Sequence, residues 1–200
     1  MRALQVAGTV LNAVLVIAYP IAIFYGLTHF GARAVSVMVL AMLVPSLAWR
    51  FRKADRATFW SMVRLPIAIS MLVIGGIATD DRRFVLALPV LINAVLFVEF
   101  GSTLRAGATP MIERFARMRE PELDAAKVGH CRQWTGAWCA FFLLNGAAAA
   151  LLAVLAPLWW WTVYTGGIAY ALMGAMLVAE YTTRRLRFPG DTHRSSKRPE

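Results

Sequence analysis

Apolar residues in this 200-residue chain follow neither the period of a half-buried strand nor that of a surface helix. They fall in long blocks separated by polar gaps. Six blocks of about 17 to 24 mostly apolar residues recur, each near the length a helix needs to cross a bilayer. They read as Leu4–Phe24, Val35–Leu47, Phe59–Ile77, Phe84–Phe100, Trp138–Leu155 and Trp161–Tyr181. The second holds about 13 strictly apolar positions, and it reaches spanning length over Ala32–Trp49 with Arg33 snorkelling to the interface. The pattern predicts an all-α, polytopic integral membrane protein. A bundle of about six transmembrane helices would occupy residues 1–188 as one domain, followed by a disordered cytoplasmic tail over 189–200.

Charge orients the bundle. Of the 21 lysines and arginines, 17 fall at the N-terminus, in the second and fourth gaps, or after the last block. The intervening gaps hold only Arg33, Arg82 and Arg83, and Arg64 lies inside the third block. Basic residues are retained on the cytoplasmic side, so the alternation predicts that both termini are cytoplasmic (N-in/C-in). It also predicts a multi-pass membrane protein. The 59% hydrophobic and 16% charged composition departs from a soluble domain in the same direction. A net charge of +10 would suggest nucleic acid in a soluble protein. Here topology and an anionic inner leaflet account for it, and no nucleic-acid partner is expected. The first block is too long for a signal-peptide core and has no small-x-small cleavage site, so it reads as a retained helix.

Polar residues inside the blocks are few. Asn12, Asn93 and Asn145 fall in the first, fourth and fifth, where amides usually bond to another helix. Glu99 and Glu180 close their blocks at the cytoplasmic end, and Arg64 enters the third from the same side. Arg64 could bridge either acid as a charged interfacial cluster, or all three could simply reach headgroups. No charge lies at the expected midplane, which disfavours a proton relay. Pro20, Pro45, Pro66 and Pro89 predict kinks. Gly75-Gly76 and Gly166-Gly167 predict close helix packing. Trp159-Trp160-Trp161 reads as an aromatic anchor on the outer face, with Trp49, Trp60 and Trp134 doing the same inside.

The gap over 101–133 is the one sizeable polar segment, a cytoplasmic loop. Within it, about 110–119 predicts a short amphipathic helix with Thr109 as N-cap and Pro110 first. Glu113 and Arg117 are spaced as an i,i+4 pair. Met111, Ile112, Phe115 and Met118 are expected on one face, with Arg114 and Arg117 on another. Such a helix should lie in the membrane interface, or present Glu113, Arg114, Phe115 and Arg117 to a cytosolic partner.

Signatures of catalysis are missing: there is no Gly-rich phosphate loop, HExxH or G-x-S-x-G. Asp80-Asp81 has no third acid nearby and reads as a solvated turn. Cys131 and Cys139 read as free thiols on a reducing side, with no second ligand pair for zinc beside His130. His29 and His193 have no orienting carboxylate. The chain is therefore expected not to be an enzyme, with no catalytic residue, cofactor or metal.

Two groups of residues carry a resemblance. Pro110-Met111-Ile112-Glu113-Arg114-Phe115-Ala116-Arg117-Met118, Glu120-Pro121-Glu122-Leu123, Cys131-Arg132, Trp138, Phe141-Phe142, Asn145, Tyr170-x-Leu172-Met173-Gly174 and Glu180 follow one pattern. Across its C-terminal half the chain resembles a family of uncharacterised bacterial inner-membrane proteins. These are encoded beside fatty-acid-synthase-like genes for aryl polyene or xanthomonadin-type pigments. Asp124 stands where that family often has proline, and His130 where it often has an aromatic residue. More distantly, Arg50-Phe51-Arg52-Lys53, Asp80-Asp81 and Trp138-x-x-Phe141-Phe142 are similar to the intracellular septation protein A family. That family's lysine-rich entry to the next helix is replaced here by Arg82-Arg83-Phe84-Val85-Leu86.

The first resemblance implies a non-catalytic accessory protein of the inner membrane, supporting assembly or membrane entry of an aryl-polyene-type lipid. Membrane lipid and cytosolic acyl-chain biosynthesis proteins would be its partners. A small lipid carrier or flippase, as a homodimer or alone, stays open, with Asn12, Asn93 and Asn145 as its polar path. So does an envelope or septation-associated scaffold.

Overall fold

A computed structural model describes residues 20–51, 56–118 and 120–189, with side chains described except at 42 and 44–65. Among these residues every regular element is helical, and no strand is present. Residues 20–29 form α1, followed by α2 (Gly31–Phe51), α3 (Arg56–Thr79), α4 (Arg82–Leu86), α5 (Leu88–Ser102), α6 (Met111–Arg117) and α7 (Ala125–Leu155). The last stretch runs as α8 (Leu158–Val163), a π-helical turn (Tyr164–Ile168) and α9 (Ala169–Arg187).

Three stretches are long and apolar enough to cross a membrane: Arg82–Ser102, Ala125–Leu155 and Leu158–Arg187, of 21, 31 and 30 residues. Shorter apolar helix is described over Gly31–Ala41 and Pro66–Thr79. The expected first block, up to residue 19, lies outside the described residues, as do Asn12 and the tail from 190. Large apolar side chains on these helices point outward, among them Met71, Leu144, Val154 and Val178, each at least 64% exposed. A water-soluble bundle would bury such residues, so this outward face suits lipid.

Internal contacts divide the chain into two compact units: Met1–Leu96 with Phe142–Ala169, and Phe97–Phe141 with Tyr170–Glu200. The core of the first is Ile23, Val35, Val73, Val85, Leu86, Leu88 and Trp161. Small residues let its backbones approach. A Cβ on Gly75 would sit 2.5 Å from the Phe84 ring, and one on Gly76 2.5 Å from Ser36 Oγ. A Cβ on Gly166 would lie 3.2 Å from Pro20. Where lipid replaces water, this close packing rather than hydrophobic burial holds helices together.

Helix ends in this unit are tied by charge. Asp80, at the α3–α4 turn with φ of 55°, accepts from the backbone N–H of Arg33 in the first turn of α2 at 2.7 Å. Arg33 in return donates from Nε to the Ile77 carbonyl near the end of α3, at 3.1 Å. Asp81 caps α4 by accepting from Arg83 N–H at 2.8 Å. An acid thus meets unpaired N–H groups, and a cation an unpaired carbonyl, as the helix dipoles favour.

The fourth block runs as α4 and α5 with an interruption at Ala87, as expected of Pro89, which supplies no N–H to the preceding turn. Three other expectations need correction. The loop over 101–133 is shorter than expected, since α7 starts at Ala125 rather than at the apolar block. Asp124 caps it, accepting from Lys127 N–H at 2.8 Å. In α6 the N-cap is Pro110 and not Thr109. Hydroxyls from elsewhere in the fold take the first free N–H groups: Thr103 Oγ1 accepts from Met111 at 3.0 Å, and Thr135 Oγ1 from Ile112 at 3.2 Å. Finally, Trp161 is no surface anchor but fully buried, while Trp159 and Trp160 stack half-exposed. Successive helical residues point about 100° apart, so three in a row cannot share one outward face.

Candidate functional site

The first unit contains a buried chain of neutral polar groups. Asn93 on α5 and Asn145 on α7 are both buried, and the Asn145 amide donates to Asn93 Oδ1 at 3.1 Å. Asn93 donates onward to the Pro89 carbonyl at 2.8 Å. The phenol of Tyr164 donates to Asn145 Oδ1 at 2.9 Å. Two local features bring these groups together. Gly146 packs against Asn93, where a Cβ would lie 3.0 Å from the Asn93 Cβ, so α5 and α7 run close at this level. The π-helical turn begins at Tyr164, and the extra residue such a turn inserts reorients the side chains at its edge. The sequence reading named both asparagines but missed Tyr164. The available signal was a tyrosine two residues before Gly166-Gly167 in an otherwise apolar block. Within this chain the amides bind each other rather than facing an open path, and no group in it is charged.

In the second unit charged side chains join the buried polar groups. Glu120 accepts from Lys127 Nζ on one oxygen at 2.7 Å and from Arg184 on the other at 3.4 Å. One carboxylate thus ties the segment after α6 to the start of α7 and the end of α9. Lys127 is buried, its ammonium 6.0 Å from the centre of the Phe188 ring. The same Phe188 ring also meets His130, which is buried between Trp134 and Phe188 with ring centroids 6.1 and 5.7 Å away. Neither of its ring nitrogens has a hydrogen-bond partner among the described residues. Cys131 and Cys139 are free and buried. The Glu120–Lys127–Arg184 cluster was not expected. Its partners are far apart in sequence, and Glu120 reads locally as a helix-ending Glu-Pro pair.

The expected interfacial cluster is placed in part. Glu180 accepts from Trp138 Nε1 at 3.2 Å within the second unit. Glu99 is half-buried near the end of α5, and its carbonyl accepts from the Ser102 hydroxyl at 2.8 Å. The side chain of Arg64 lies outside those described. On α6 the expected apolar face is divided. Ile112, Glu113 and Ala116 point inward, whereas Phe115 and Met118 are exposed. Glu113 is buried as the partner of Arg117, at 2.6 Å. Arg114, Phe115 and Arg117 therefore reach the surface, and Glu113 serves to hold one of them.

None of these arrangements joins a nucleophile to a base, or a general acid to a cleft. Comparison with family models, with curated proteins and with solved structures finds no match to the chain.

Proposed function

We propose that this chain is a non-catalytic accessory protein of the bacterial inner membrane, a six-span bundle with both termini in the cytoplasm. Its role is to hold cytosolic acyl-chain biosynthesis at the membrane, supporting assembly or membrane entry of an aryl-polyene-type lipid. The substrate class rests on the resemblance of the C-terminal half, and the orientation on the lopsided distribution of lysine and arginine.

The observation that best supports a docking role is the way α6 is held. Its first N–H groups are anchored on Thr103 and Thr135, and its inner face carries Ile112, Glu113 and Ala116. Arg114, Phe115 and Arg117 are thereby presented outward by a fixed helix, and Phe115 is 51% exposed. An apolar ring flanked by arginines suits a partner whose surface is acidic around an apolar groove. The carrier reading has less support, because Asn93 and Asn145 are engaged with each other.

The test is mild cross-linking in native membranes, followed by affinity purification of the tagged chain and mass spectrometry. Acyl carrier proteins or ketosynthases should co-purify with the wild type and fall several-fold with Arg114→Ala plus Phe115→Ala. Recovery of division or cell-wall proteins instead would remove this reading and favour the scaffold. Loss of product export in Asn145→Leu, with docking intact, would favour the carrier.

A further inference from the structure

The end of α9 is fastened to the start of α7 by aromatic rings and a guanidinium. Phe188 meets His130 edge to face, with centroids 5.7 Å apart and planes at 86°. The Lys127 ammonium lies 6.0 Å from the centre of the same Phe188 ring. Arg187 donates to Gln133 Oε1 at 3.2 Å, about one helical turn along α7 from His130.

The group enclosed by this junction is titratable. His130 is 3% exposed, and neither ring nitrogen has a hydrogen-bond partner among the described residues. A neutral imidazole in that position leaves one donor and one acceptor unmet; a protonated one leaves two donors and a full charge. Burial holds its proton affinity below that of an ordinary imidazole, and the Arg187 and Arg184 guanidiniums on α9 add to the effect. Facing the same junction are Lys127, the buried Cys131 thiol, and Glu120, whose carboxylate bonds Lys127 and Arg184. Trp134 and Phe188 attract an imidazolium through their faces, without supplying a counter-charge.

Protons can reach this site in the proposed topology. The 31 residues of α7 run about 46 Å, well beyond the roughly 30 Å of a hydrocarbon core. With the apolar block from Trp138 onward in that core, His130 stands before the span, on its aqueous side.

We propose that His130 is an acid-sensitive latch: neutral, it lets the end of α9 close on the start of α7, and protonated, it drives Phe188 away and opens the junction. An imidazole whose proton affinity is lowered in the closed form takes up a proton on opening, so acid favours the open form. The closed form is fully favoured above the ordinary histidine value of about 6.5 and loses ground as the pH falls below it. Opening also withdraws Arg184 from Glu120, the acid that ties the segment after α6 into this unit.

The test uses the full chain in lipid nanodiscs, where both faces meet buffer and orientation does not affect the result. His29→Asn and His193→Asn are introduced first, which leaves His130 alone of the three histidines. Hydrogen exchange read by mass spectrometry, corrected for the intrinsic pH dependence of amide exchange, follows 125–133 and 181–188. Carboxylates ordinarily titrate near 4, so a window from about pH 7 to about pH 5.5 isolates the histidine. Across it the opening of both stretches should rise several-fold, with about eightfold the limit for one histidine of ordinary affinity when open. Peptides from 142–163, in the other unit, should not respond. His130→Phe keeps a ring against Phe188 and should abolish the response, as should His130→Gln, which is neutral throughout the window.

A rise below about twofold in the parent overturns the latch, since one histidine of lowered affinity must give more. So does a response that persists in His130→Phe, or one of equal size over 142–163. If His130→Phe does not fold, His130→Gln decides by the same criterion.

Discussion

The two units organise their buried polar groups in opposite ways. In one, Tyr164, Asn145, Asn93 and the Pro89 carbonyl form a chain of neutral donors and acceptors. In the other, Glu120 holds two cations, one of them the buried Lys127. A neutral amide can enter an apolar surround at modest cost once it is hydrogen-bonded, whereas a charge there is expensive unless its counter-charge accompanies it. The amide chain should therefore be a weak, distributed tie. The ionic cluster should be a strong one that depends on a single residue.

The largest expected effect tests that dependence. Glu120→Leu removes the carboxylate 2.7 Å from Lys127 and should destabilise the detergent-solubilised protein by about 3 kcal/mol. This is the low end of the range for a broken buried pair, because the Glu120 side chain is 30% exposed and keeps some solvent screening. Lys127→Met should cost only about 1 kcal/mol, since it removes the buried charge itself and leaves Glu120 with Arg184. Denaturant titration followed by helical circular dichroism measures both. Equal costs for the two variants would mean that the cluster is not organised around Glu120.

Asn145→Leu comes next. It deletes two hydrogen bonds of the neutral chain and should cost about 1–2 kcal/mol, given the small worth of amide bonds between membrane helices. Tyr164→Phe removes one bond and should cost about half as much. In a double-mutant cycle the pair should couple by roughly 0.5–1 kcal/mol. Strict additivity would show that the phenol and the amide do not meet. Loss of 3 kcal/mol or more would place Asn145 with the charged class and erase the contrast.

These two networks also differ in how far the sequence announces them. Asn93 and Asn145 are visible as isolated amides in apolar blocks, and a polar group there needs a partner in another helix. The block pattern likewise makes the helical architecture plain, because a run of lipid-compatible residues permits little else. Tyr164 escapes because its role depends on a π-helical turn, whose rotation of side chains leaves no mark in spacing. Glu120 escapes because Lys127 and Arg184 meet it only through the fold. The α6 cap is hidden for the same reason: Thr109 fits the local rule, yet hydroxyls from Thr103 and Thr135 displace it. Local chemistry is legible where the partner is a neighbour in sequence, as for Glu113 and Arg117, and illegible where it is not.

His130 tests the contrast most finely, with the smallest expected effect. It is 3% exposed in the unit that relies on charge, and neither ring nitrogen finds a partner among the described residues. It belongs to neither scheme, being neither closed into a neutral chain nor neutralised by an acid. A buried polar group in that condition costs about 1–3 kcal/mol, which replacement by an apolar group of similar shape recovers in part. His130→Phe keeps a ring between Trp134 and Phe188 and should therefore be neutral, or stabilising by up to about 1 kcal/mol. His130→Ala leaves a cavity instead and should cost about 2 kcal/mol or more. The pair of variants separates packing from polarity. If Phe destabilises as much as Ala, the imidazole nitrogens matter, and His130 has a polar partner such as an ordered water. That result would extend the hydrogen-bonded logic of the first unit into the second and leave Glu120 as one element of a larger network.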